Sequence, residues 1–174
     1  MVTSRRPGEG RYAQLEREQR WLLAGLPPGL SNEREIVDHY GIGTTLRLRM
    51  VQSRDEVIYK LGQKIRLNDE DPELVKITNI YLSESEFCTL SVSPAFIVSK
   101  SRWDATSNGL RFAVDEFKGR HSGLVLAEIE LREDEARVSG PEYAVAEVTS
   151  ANEYSGGWLA AATDAEMRRI LDRG

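Results

Sequence analysis

Charge at every second residue recurs in five separated segments: Glu16-Arg17-Glu18-Gln19-Arg20, Arg47-Leu48-Arg49, Lys60 to Arg66, Lys100-Ser101-Arg102 and Glu128-Ile129-Glu130. Successive side chains of a strand point to opposite faces, so each segment directs a pair of charges the same way. One such strand is usually the wet face of an antiparallel sheet. Five of them, backed by Leu46, Leu48 and Met50 and by Val125, Ala127, Ile129 and Leu131, describe a sheet with one apolar and one charged face.

The remaining segments supply enough strands to close that sheet. Strands are expected over 12–23, 34–40, 44–51, 57–61, 75–82, 96–103, 110–117, 124–131 and 144–149. Gly41-Ile42-Gly43 and Asn108-Gly109 form hairpin turns. Ser83 with Glu86 is a capping-box pattern for a short helix over 84–91. An amphipathic helix, in one or two parts, is expected from Trp158 to about Arg173. Asn68 to Pro72 reads as a polar loop and 132–138 as a charged turn with some helical character. About eight strands close into a barrel wide enough for one small ligand. The fold class expected is therefore α+β, mainly antiparallel β: an eight-stranded closed tunnel with a charged interior and helices packed outside.

At 174 residues and 40% hydrophobic content the chain suits one domain, 12–174, after a disordered leader at 1–11. A net charge of -5 argues against a nucleic-acid or anionic-membrane binder, which needs a basic field over a whole face. No internal disulfide is open to the single Cys88, and neither a signal peptide nor a membrane-spanning run is readable, so a cytoplasmic protein is expected. His39, His121, Trp103 and Trp158 read as packing or surface residues. Gly41-Ile42-Gly43 lacks the lysine and spacing of a phosphate-cradling loop.

Inside such a tunnel Arg20, Arg47, Arg49, Lys60, Lys64, Arg66, Lys100, Arg102 and Arg111 would face Glu16, Glu18, Asp115, Glu128 and Glu130. Charges withdrawn from water need partners or a bound ion. Arginine forks and compact lysine charges suit several linked phosphates, and carboxylates suit Mg²⁺ or Mn²⁺.

These residues resemble the CYTH superfamily, the triphosphate tunnel metalloenzymes. Glu16, Glu18 and Arg20 fall on its Glu-x-Glu-x-Lys signature. Thr45 to Arg49, Tyr59-Lys60, Lys100-Ser101-Arg102, Val114 to Phe117, Ala127 to Glu130 and Glu147-Val148-Thr149 follow in the family's order. The resemblance implies divalent-metal-dependent hydrolysis of a triphosphate, with inorganic tripolyphosphate the favoured small-molecule substrate, Mg²⁺ or Mn²⁺ the cofactor, and a homodimer left open. An adenylate cyclase of the same family and a non-catalytic polyphosphate-binding module are the alternatives.

By the same resemblance Glu16, Glu18, Glu128 and Glu130 hold metal, with Asp115 in or near that shell. Arg20, Arg47, Arg49, Lys60, Lys64, Lys100 and Arg102 bind phosphate, with Lys60 serving the leaving pyrophosphate and Glu16 and Glu18 counted with it as catalytic. Two departures stand out: Arg20 replaces the signature lysine, and Tyr154 to Trp158 lacks the lysine that many members place there. Thr45 stands where thiamine-triphosphate members carry a stacking tryptophan, so an inorganic substrate is expected to be preferred over ATP and thiamine triphosphate, with Trp21, Tyr40, Trp103 and Trp158 the other candidate platforms for an organic group.

Overall fold

The computed structural model describes residues 11–67, 73–132 and 134–172. The expected leader, except Arg11, and the 68–72 connection lie outside them, as does Glu133. Among the described residues nine strands form the frame: β1 (Gln14–Leu23), β2 (Ser31–Gly41), β3 (Leu46–Gln52), β4 (Val57–Arg66), β5 (Leu74–Leu82), β6 (Ala95–Ser107), β7 (Leu110–Phe117), β8 (Val125–Arg132) and β9 (Ala144–Glu147). Helices α1 (Glu84–Leu90), α2 (Gly156–Ala161) and α3 (Asp164–Leu171) complete it.

The pairing runs β5-β4-β3-β2-β6-β7-β8-β1, and a β1–β5 ladder closes it into an antiparallel eight-stranded barrel. Closure depends on β1 changing partners along one edge. Gln14 to Arg17 pair with β5, whereas Trp21 to Leu23 pair with the short extra strand β9. The β6–β7 hairpin turns on Asn108 and Gly109, both left-handed at φ 51° and 76°, which matches the strand twist of a two-residue hairpin. Ser83 and Glu86 make the expected capping box on α1, and Thr163 with Glu166 makes a second on α3, which splits the C-terminal helix in two. The charged turn after β8 is not helical over its described residues.

Alternation assigns the two faces. Outward residues Trp21, Leu23, Phe112, Val114, Val125, Ala127 and Ile129 form one core, roofed by Leu30, Val138, Tyr143 and Ala144. Trp21 meets Phe112 edge to face at 5.6 Å. Helix α1 also packs outside, with Phe87 stacked 4.7 Å from Tyr59. The other helices sit differently. Leu22, Val98, Phe117 and Leu126 are on the inner face at one end, and Tyr154, Leu159, Ala160, Met167 and Ile170 pack against them. Helices α2 and α3 thus pack into that end of the barrel as a plug. Gly156 lies directly on Tyr40: a Cβ there would fall 2.1 Å from the tyrosine hydroxyl.

Leu159 is fully buried in this plug. Leu159→Ala should cost about 2–5 kcal/mol, read as a lower urea midpoint at unchanged slope. A loss below about 1 kcal/mol would contradict a packed plug.

Candidate functional site

The register brings the alternating charges together on the inner wall. Arg20 faces Glu128 and Glu18 faces Glu130 across β1–β8. Asp38 faces Arg49 across β2–β3, Arg49 faces Lys60 across β3–β4, and Arg102 faces Asp115 across β6–β7. The cavity they enclose is about 340 Å³, lined by Arg20, Arg47, Arg49, Lys64, Arg66, Lys100 and Arg102 with Glu18, Glu128 and Glu130.

One continuous chain of ion pairs crosses five strands. Lys64 bonds Glu18, Arg20 reaches Glu18 at 3.2 Å and Glu128 at 2.8 Å, and Arg102 reaches Glu128 at 2.6 Å. Arg102 also grips Asp115 with two 2.6 Å bonds, and Lys100 donates to the same carboxylate. Apart from this chain, Arg49 grips Asp38 with bonds of 2.6 and 2.7 Å, and Arg47 Nε stands 3.7 Å from Asp38. Planar forks aligned on carboxylates give the strongest charge-assisted bonds, and these hold the guanidinium planes against the wall.

The proton affinities follow from this pairing. Burial works against ionised Glu18, but Lys64 and Arg20 outweigh it and hold the carboxyl at about 2. Burial likewise opposes ionisation of Asp38, and Arg49 overrides it, again giving about 2. Glu128 is held well below the usual carboxylate range: burial opposes this, and Arg20, Lys100 and Arg102 prevail. Lys100 moves the other way, pushed down by burial despite Asp115. Glu16 is pushed up, first by burial and then by the charge of Glu130, with Glu18 adding to it.

Placement of the expected residues is therefore uneven. Lys60 is not among the cavity-lining residues; its ammonium lies 5.2 Å over the ring of exposed Tyr81. Asp115 is fully buried behind Lys100 and Arg102, with both oxygens engaged by them. Glu16 stands beside the cavity on the same face of β1 as Glu18. Among the described residues no three His, Cys, Asp or Glu side chains are gathered closely enough to hold a metal ion. The donors are nonetheless of the right kind for a hard cation: carboxylate oxygens only, with Glu16 pushed up first by burial and then by the like charges of Glu130 and Glu18, which a cation would compensate.

Sequence reasoning missed Asp38, and it singled out Tyr40 only as a candidate stacking platform. Both lie on the inner face of β2, where Arg34, Ile36, Asp38 and Tyr40 alternate without a uniform character, so no charge period marks them. Tyr40, hydrogen-bonded by Arg47, lines the cavity. Asn152, Tyr154, Ser155, Gly156 and Gly157 line it too, at the place where the family resemblance leads one to look for a lysine.

No family model matches the chain. A segment of 58 residues is 38% identical to the inorganic triphosphatase of Acetivibrio thermocellus, covering 33% of this chain and 37% of that relative. The crystal structure of the inorganic triphosphatase NE1496 is similar at a TM-score of 0.57 and 24% identity, over 85% of this chain and 95% of that one. A second crystal structure, of hypothetical protein NE1496, gives 0.57 at 26% identity, over 84% and 98%. The PH1819 protein of Pyrococcus horikoshii OT3 shares the fold at 0.51 and 15% identity, over 91% and 89%. The chain shares the closed antiparallel barrel of these solved structures, the fold that its sequence resemblance implies. Among the described residues no helix is long and apolar enough to cross a membrane.

Acid stability tests the ion-pair assignment. Glu18 and Asp38 have folded values near 2 against ordinary values of 4.5 and 3.8. A depressed carboxyl contributes stability above its unfolded value and loses it as pH falls through the folded one, here from about 4.5 to about 2. Urea stability should fall through that window, and Asp38→Asn should flatten the fall by roughly 2 kcal/mol. An identical pH slope in the variant would contradict the Asp38–Arg49 pairing.

Proposed function

We propose that this protein hydrolyses a triphosphate, with inorganic tripolyphosphate as the preferred substrate. The observation that carries the reading is the cavity wall itself: Arg20, Arg47, Arg49, Lys64, Arg66, Lys100 and Arg102 converge on about 340 Å³. Such a set offers far more positive charge than one phosphate needs. The NE1496 and Acetivibrio likenesses support the same class of substrate.

Arg47 and Arg49 from β3, with Lys100 and Arg102 from β6, grip the non-bridging oxygens. Asp38 and Asp115 orient these pairs from behind, which assigns Asp115 to positioning the basic residues. Glu16, Glu18, Glu128 and Glu130 are the residues that would hold Mg²⁺ or Mn²⁺; in this structure Glu18 is paired with Lys64 and Arg20, and Glu128 with Arg20 and Arg102. A bound divalent ion would make an attacking water easier to ionise and neutralise phosphate charge. Water attacks the terminal phosphorus in line, the new P–O bond replaces the bridging P–O bond, and pyrophosphate leaves with the proton. Positioning and charge stabilisation account for most of the acceleration in such reactions. Lys64 and Arg66, on the same face of β4 as Lys60 and lining the cavity, take up the leaving-group charge in place of Lys60.

Thr45 lines the cavity together with Thr44, Leu46 and Gln63, and none of these four offers a ring for an organic group to stack on; the rings in the lining are Tyr40, Phe117 and Tyr154. With Mg²⁺ or Mn²⁺, phosphate release should show a higher kcat/KM for tripolyphosphate than for ATP or thiamine triphosphate, and EDTA should abolish it. Replacing Arg47 and Arg49 together by alanine should weaken tripolyphosphate binding by about 3 kcal/mol or more, over a hundredfold. Glu130→Gln should suppress turnover while the fold is kept. Full activity in EDTA, or unchanged affinity in the double variant, would overturn the reading.

A further inference from the structure

Glu18 and Arg20 lie where the pairing of β1 is interrupted. Toward β8 the ladder runs without a break from Glu16 to Leu23. On the other edge β1 pairs with β5 over Gln14 to Arg17 and with β9 over Trp21 to Leu23, so residues 18 to 20 fall between two ladders. Buried backbone groups still require partners. The Glu18 N–H donates to the Glu73 carbonyl at 3.0 Å, and the Arg20 N–H donates to the Thr149 hydroxyl at 3.0 Å. The Arg20 carbonyl accepts from the Val148 N–H at 2.8 Å.

Arg137 joins these substitutes for a ladder. Glu73 is 3% exposed; Arg17 donates to one of its oxygens at 2.9 Å, and Arg137 stands 2.8 Å from the other. Arg137 also pairs with Glu147, whose carboxylate accepts a 2.9 Å bond from the Thr149 hydroxyl. Gln19, outward and fully buried, exchanges bonds of 2.8 and 3.3 Å with the backbone of Val138 and so holds the residue next to Arg137. None of Glu73, Arg137 and Glu147 lines the cavity. A satisfied network of this kind specifies a register. A slip of β1 by one residue would turn Glu18 and Arg20 out of the tunnel, and a smaller shift would change their depth in it.

We infer that Arg137 is a positioning residue: from outside the tunnel it joins Glu73 to Glu147 and through them fixes the backbone at Glu18 and Arg20. The inference deepens the triphosphate reading, because those two side chains belong to the proposed binding wall, and it rests on that reading for its consequence in substrate binding.

The test uses two changes of opposite charge, Arg137→Ala and Glu147→Ala, in the full chain. Tripolyphosphate binding is measured by calorimetry without divalent metal. A long-range field alone would weaken binding of the anion in the first variant and strengthen it in the second. Positioning predicts the same sign for both, a loss of about fivefold or more in each. Thr149→Val, which breaks the link with no change of charge, should lose a similar factor, and Thr149→Ser, which keeps the hydroxyl, should restore it. Opposite changes in the two charge variants, or affinities within about twofold of the parent in both, would overturn the inference. Amide hydrogen exchange gives a second reading that needs no substrate. Glu18 and Arg20 should lose protection in both alanine variants while β3 and β4 keep theirs, and an equal loss throughout β3 and β4 would also overturn it. If the parent itself fails to bind tripolyphosphate, the triphosphate reading falls, and exchange at Glu18 and Arg20 still decides whether Arg137 positions them.

Discussion

The structure depends on charge compensation inside a closed sheet. Burying this many arginines and lysines is costly unless each finds a partner, and removing one member of a buried pair leaves an uncompensated charge worth about 3–5 kcal/mol. The chain from Lys64 through Glu18, Arg20, Glu128 and Arg102 to Asp115 and Lys100 meets that condition across strands distant in sequence. It also fixes the direction of every guanidinium it includes. A cavity whose cations are already oriented needs little rearrangement to receive a polyanion, which is how preorganised sites lower the cost of binding.

The barrel makes that compensation possible because its two faces are divided so sharply. Outward apolar residues on β1, β7 and β8 are roofed by the 134–144 region, so the core lies beside the tunnel and not within it. At the plugged end the inner face becomes apolar, and there α2 and α3 supply the complement. Thr149 ties the two regions together: its hydroxyl accepts a 3.0 Å bond from the Arg20 backbone just beyond β9. The strand that carries the first site residues is thus anchored at the point where the polar wall gives way to the plug.

Much of this was legible in the sequence, for a physical reason. Alternation is forced by strand geometry, so Arg47 with Arg49, Lys100 with Arg102, and Glu128 with Glu130 had to share a face once they lay on strands. The capping box at Ser83 and the Asn108-Gly109 hairpin are local signals and were read correctly. The depth of a residue along the tunnel is different, because it depends on the stagger between strands. Lys60 and Lys64 share a face of β4, yet only Lys64 lines the cavity. Asp38 was invisible because its neighbours on that face, Ile36 and Tyr40, are uncharged, and its role exists only through its register with Arg49. The plug was hidden as well, since an amphipathic helix does not declare which apolar surface it will cover.

The central claim is that the charged interior is a binding site and not merely a self-neutralised core. Thermal unfolding in increasing tripolyphosphate, against sodium sulfate controls of equal ionic strength, tests it most directly. A ligand that binds only the folded protein should give saturable stabilisation of about 2.7 kcal/mol at a hundred times its Kd. Stabilisation no greater than that in the sulfate controls would contradict the account.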